Sequence, residues 1–176
     1  NSWDSDNHLI ANHTYSHPYF NSKNVSLDNF KNEMLKNDSL IKNYKNYTKL
    51  FRFPYLKEGN TFKKREGFRE FLKKYNYKIG HVTIDASDWY VNQRLVKRLT
   101  KNPSADITKF REYYINHILD RAIFYNQLGV DLTGENIPHN LLLHHNLTSA
   151  LFIDDLIKAF KKKGWKIISA TKNDGT

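Results

Sequence analysis

Short apolar runs alternate along this chain with longer stretches whose apolar positions recur every three or four residues, a pattern of strands alternating with amphipathic helices. "HLIAN" (8–12) predicts a strand running into a histidine-containing loop. Leu27, Phe30, Met34 and Leu35 then share one face of a helix that Ser26 is suited to cap and that extends to about Leu40. "KLFRF" (49–53) predicts a strand stopped by Pro54. "KREGFREFLKKY" (64–75) predicts a helix with Phe68, Phe71, Leu72 and Tyr75 inward, and "KIGHVTI" (78–84) a strand ending at Asp85. From Phe110 to Leu128 a long amphipathic helix carries Tyr114, Ile118, Ala122 and Tyr125 on its stripe, with Gly129 as its expected end. "NLLLHH" (140–145) reads as a buried strand, the segment 149–165 as a helix capped near Ser149 and closed by Gly164, and "KIISA" (166–170) as a last strand. Residues 100–106 read as a surface loop. The class is therefore α/β, and 176 residues suit a single domain, 1–176, with its own core.

Composition narrows the chemistry. With no cysteine, disulfides and thiolates are excluded, so any metal must sit on His, Asp or Glu. No apolar run is long enough to cross a bilayer, so no transmembrane segment is expected. The net charge is +10, which invites an anionic partner. Yet the lysines are spread over predicted helix faces (Lys31, Lys36, Lys73, Lys158, Lys162) without an arginine-rich tract, so the charge reads as a solvated surface and no nucleic-acid partner is expected.

In parallel α/β folds, side chains that do chemistry gather at the C-terminal ends of strands. The unusual polar residues fall at such ends: His13 and His17 after the first strand, Arg52, Pro54 and Tyr55 after the second, Asp85, Asp88 and Trp89 after the third, His144 and His145 after "LLL". An H-x-x-x-H pair can turn two imidazoles to one side, as a metal requires. Taken singly, each cluster has a plainer explanation: a surface pair, an arginine on a core carboxylate, a helix cap, a satisfied histidine. Four of them in order are harder to explain as packing.

The ordered set "HTYSH" (13–17), "RFPY" (52–55), "DASDW" (85–89) and "LLH" (142–144) resembles the NodB-type polysaccharide deacetylases of carbohydrate esterase family 4, over nearly the whole chain. The resemblance implies a distorted (β/α) barrel. It also implies a divalent cation, usually zinc, on His13 and His17, and hydrolysis of an N-acetyl, less often O-acetyl, group on a polysaccharide. His144 would protonate the leaving amine, Asp88 would pair with that imidazole, and Arg52 would orient the general base. The backbone N–H of Tyr55 would help hold the oxyanion beside Pro54, and Trp89 and Leu142 would wall the acetyl pocket. An acetylated glycan partner implies an extracytoplasmic location: periplasm, envelope or exterior.

The family also opens with a T-F-D-D motif, tens of residues before the histidine pair, which supplies the general base and a third metal ligand. This chain starts just ahead of the histidines, so an N-terminally truncated domain is expected, nearly inactive alone and weak for zinc. Asp4 and Asp6 lie too close to His13 to replace the motif, and Asp154 and Asp155 belong to the polar face of a helix. Two other classes remain: a catalytically inactive, basic glycan-binding module on the same fold, and an HNH-type nuclease suggested by "HHN" (144–146), which lacks a further metal-binding histidine downstream.

Overall fold

The computed structural model describes residues 2–169. They form two compact units, one ending at His81 and one starting at Val82.

The first unit contains helix α1 (Ser2–Ser5), strand β1 (Ile10–Asn12), helix α2 (Leu27–Ile41), strand β2 (Tyr47–Phe51), a 3₁₀ turn (Pro54–Leu56), helix α3 (Phe62–Lys74) and strand β3 (Lys78–Ile79). Its strands make one parallel sheet in the order β1-β2-β3, pairing Ile10 with Tyr47, Asn12 with Phe51 and Phe51 with Ile79. Ser26 caps α2 by accepting from the Asn29 N–H, and Thr61 caps α3 by accepting from the Lys64 N–H. Just past helix α3, Asn76 takes a φ of 58°, which lets the Tyr77 N–H reach back to the Leu72 carbonyl at 2.8 Å. The core is aromatic: Phe20 stacks on Phe30 at 3.9 Å, and Phe51, Phe53 and Phe68 pack around them, all buried. At its edge the hydroxyls of Tyr47 and Tyr77 both donate to Asp38, and burial, then that carboxylate, pushes both phenols up.

The second unit contains strand β4 (Ile84–Asp85), helix α4 (Asp88–Lys101), helix α5 (Thr108–Thr133), strand β5 (Leu141–Leu142) and helix α6 (Leu147–Lys162). β4 and β5 pair in parallel, Ile84 with Leu141 and Asp85 with Leu142. Three helices pack around Ile84, Val91, Leu95, Ile118, Ala122, Phe152 and Leu156, a mainly aliphatic core.

Several expectations need correction. The described strands form two small open parallel sheets, not a closed barrel. The run 78–84 is two strands: its first residues pair with β2, its last begins β4, and the chain leaves the first ladder at Gly80. Residues 88–101, beyond the predicted elements, form helix α4, whose Val91, Leu95 and Leu99 recur every four residues and pack inward. Helix α5 does not stop at Gly129 but at Gly134, which has a φ of 81° and donates to the Val130 carbonyl. Gly129 is buried mid-helix, where an added Cβ would lie 3.3 Å from Ile137, so close approach of the following segment explains it. Helix α6 is capped by Asn146, three residues before Ser149, and closes at Gly164 as expected. Residues 166–169 are not a strand, and Ala170 lies outside the described residues. Ile167 and Ile168 are about half exposed there, short of the burial a parallel strand requires.

Candidate functional site

The predicted residues lie in two clusters, one in each unit.

In the first unit the histidine loop hangs from Asn12, the last residue of β1. The Asn12 side chain is buried and donates to the Met34 carbonyl at 3.0 Å, while its Oδ1 accepts from the Thr14 N–H at 3.0 Å and from Asn37 at 3.1 Å. The loop's far side is latched by Glu33, whose Oε2 accepts from the Ser16 N–H at 2.7 Å and hydroxyl at 2.8 Å. Thr14 and His17 take left-handed φ values of 67° and 56°, uncommon for residues with a Cβ. This backbone brings the His13 and His17 rings edge to face with centroids 4.8 Å apart. His13 Nδ1 lies 2.7 Å from the Arg52 carbonyl. A carbonyl can only accept, so Nδ1 carries the hydrogen and the lone pair belongs to Nε2, the tautomer a metal-binding imidazole needs.

Pro54 is buried and starts the turn after β2; Tyr55 and Leu56 follow with φ of 55° and 54°. The exposed Tyr55 ring rests edge-on against His17 at 4.6 Å and against Tyr19 at 5.4 Å. Arg52 is half-buried, and its Nε donates to the Gly80 carbonyl at a long 3.3 Å. Burial lowers its pKa. None of the ion pairs among the described residues involves it, which leaves guanidinium donors suited to a carboxylate.

Both histidines are of a donor type that suits a divalent cation, and His13 holds the tautomer for it, but they are two donors. Among the described residues no group of three His, Cys, Asp or Glu is placed to hold one ion. Asp4 is committed elsewhere: its carboxylate accepts from the backbone N–H groups of Asn46 at 2.7 Å and Lys45 at 3.1 Å. Asp154 and Asp155 are tied to Lys158 at 2.6 Å and Arg111 at 2.5 Å, as a solvated helix face predicts.

In the second unit the Asp85 side chain accepts from the Ser87 N–H at 2.9 Å, and Ser87, with φ of 49°, turns the chain from β4 into α4. Asp88 is the first residue of that helix, where the macrodipole favours a carboxylate. It is 1 % exposed, yet both oxygens are engaged: Oδ1 with His144 Nδ1 at 2.5 Å, and Oδ2 with the His144 N–H at 2.9 Å and the Asn146 amide at 3.0 Å. The His144 side chain is 44 % exposed, so a ring open to solvent is aimed by an acid withdrawn from it. Trp89 is half-exposed and meets Tyr90 edge-on at 5.9 Å; Leu142 is half-buried in β5 opposite Asp85.

Three supporting residues escaped the sequence reading: Asn12, Glu33 and Asn146. Asn12 alone had a local signal, a polar residue at the inward-facing end of an apolar strand.

Residues 1–80 match the polysaccharide deacetylase family model. Over 167 residues the chain is 26% identical to a peptidoglycan-N-acetylglucosamine deacetylase of Bacillus cereus, covering 94% of this chain and 48% of that protein. The chain thus spans about half the length of this curated relative. A mutant of a CE4 family pseudoenzyme with restored enzymatic activity superimposes over 98% of this chain and 50% of its own, with a TM-score of 0.63 at 18% identity. A wild-type CE4 family pseudoenzyme from Bacillus anthracis superimposes over 96% of this chain and 47% of its own, with a TM-score of 0.59 at 19% identity. At such identities these two likenesses concern the fold.

Proposed function

Taking this chain as a member of the polysaccharide deacetylase family, we propose that it contributes to metal-dependent removal of N-acetyl groups from an extracytoplasmic glycan, peptidoglycan being the first candidate. The observation that carries the reading is the Asp88–His144 pair, a buried carboxylate 2.5 Å from the Nδ1 of a half-exposed histidine. Amide hydrolysis forms a bond from a water oxygen to the acetyl carbon and breaks the carbon–nitrogen bond, and the departing amine needs a proton. We assign that donation to the Nε2–H of His144 as an imidazolium, which returns to the neutral ring on giving up that proton, with Asp88 opposite Nδ1 orienting the ring and balancing its charge. His13 and His17 would hold the cation, zinc or another divalent ion, and a bound cation supplies Lewis acidity toward the acetyl carbonyl. Arg52 is assigned to orient the carboxylate base, an aspartate of the family pattern with no counterpart among the described residues. The Tyr55 N–H is assigned to the developing oxyanion, with Pro54 shaping that turn, and Trp89 and Leu142 to the acetyl pocket.

The test uses the gene product carrying this sequence, expressed in full, with zinc and N-acetylglucosamine oligomers or purified peptidoglycan. Acetate release should fall at least about a hundredfold on His144→Ala. Undiminished release by that variant would sink the assignment.

A second reading, a glycan-binding module without catalysis, is favoured by the pseudoenzyme described among the structural neighbours. It predicts peptidoglycan pull-down with no acetate release from the full protein under any divalent metal.

A further inference from the structure

We propose that Asn146 is a positioning residue of the proton-donating pair, not only the cap of α6; this rests on the function proposed above. Its amide is used at both ends. Oδ1 accepts from the Ser149 N–H at 3.0 Å and from the Thr148 hydroxyl at 2.7 Å, satisfying the start of α6. Nδ2 donates to Asp88 Oδ2 at 3.0 Å. The orientation is forced: a backbone N–H can only donate, a carboxylate can only accept, and a flipped amide would lose both contacts.

The consequence is mechanical. Asp88 Oδ2 receives two donors from one short segment, the His144 N–H and the Asn146 amide, and Oδ1 is left for the His144 ring. With Oδ2 held at two points the carboxylate cannot rotate, so Oδ1 keeps its direction toward Nδ1. One turn along α4, Asn92 accepts from the Thr148 N–H at 3.2 Å. Asp88 and Asn92 therefore grip the start of α6 together, but only Asp88 also grips the histidine. Asn146 ties the aim of His144 to the cap of a helix whose buried face includes Phe152 and Leu156. Any residue that caps well would start α6; the amide caps with one atom and reaches the acid with another, a reach that a single hydroxyl lacks.

That difference separates the two roles. Asp and Ser cap helices about as well as Asn. N146D keeps the cap but faces Asp88 with a second carboxylate; N146S keeps the cap, but its one shorter hydroxyl has no second polar atom to stand where Nδ2 meets Asp88. ¹⁵N imidazole shifts of His144 at fixed pH, in this chain without metal, report which nitrogen carries hydrogen and how strongly it is engaged. We expect both variants to keep the parent's thermal midpoint within a few degrees and to move the His144 Nδ1 shift, and N92A to lower the midpoint while leaving that shift unmoved. In the full-length protein, N146S should lower kcat at least about tenfold with KM within about twofold. Parent-like His144 shifts in both N146S and N146D would overturn the proposal, as would a shift in N92A as large as theirs. If N146D fails to fold, N146S decides alone. Moved shifts in a full-length protein that releases no acetate would leave the positioning role standing and remove the deacetylase reading instead.

Discussion

Both units aim a histidine by engaging its Nδ1, but with different acceptors. In the first unit His13 meets a backbone carbonyl; in the second His144 meets a buried carboxylate. A carbonyl fixes the tautomer without adding charge, which suits a ring that offers a lone pair to a cation. A carboxylate sets a full negative charge beside the ring, which suits one that must carry a proton to a leaving group. The supports differ too. The first unit holds its rings on left-handed loop backbone braced by Asn12 and Glu33, over stacked phenylalanines. The second uses the first residue of a helix, over aliphatic side chains. One chain thus carries an exposed loop with two histidines and a half-exposed histidine backed by a buried carboxylate.

The cores offer the largest effects. Phe30→Ala should cost about 4 kcal/mol and Ile118→Ala about 3 kcal/mol, since the first opens a cavity within several ring contacts and the second among aliphatic ones. Urea titration of both variants checks the order, and equal costs would mean that stacking adds nothing to burial here. Next, Asp88→Asn should lower acetate release by the full-length protein about a hundredfold while leaving zinc affinity unchanged. Loss of zinc with that substitution would break the division of labour between the two clusters. Third, His17→Ala should weaken zinc binding at least about tenfold by isothermal titration without moving the His144 imidazole shifts.

The smallest effect is in pH. Asp4 is held below the usual carboxylate range by the Asn46 backbone N–H first, then that of Lys45. Its folded form is the weaker proton binder, so its contribution is present above its ordinary value of 3.8 and is lost as pH falls through the depressed folded value. His139 of the second unit is held down by burial from 6.5, so its contribution is present above 6.5 and is lost as pH falls through its depressed folded value. Asp4→Asn should flatten only the most acidic part of a stability–pH curve, and His139→Gln the part that starts higher. Identical curves for the two variants would refute the separation.

The sequence by itself determined what is decided within a turn or two of chain: the Ser26 cap, the Gly164 stop, the inward stripes of α2 and α5, that of α3 except Tyr75, which is exposed beyond the helix end, and the order of the four polar motifs. Caps and periodicities are contests between neighbouring residues, so they can be read locally. The two-residue strands β3, β4 and β5 are too short to carry a period, which is why 78–84 read as one strand. Only the tertiary structure decided that the Arg52 carbonyl orients His13 across 39 residues and that Asn146 serves a helix and an acid together. Hydrogen-bond partners so distant in sequence are chosen by how the elements pack, and no local pattern encodes that.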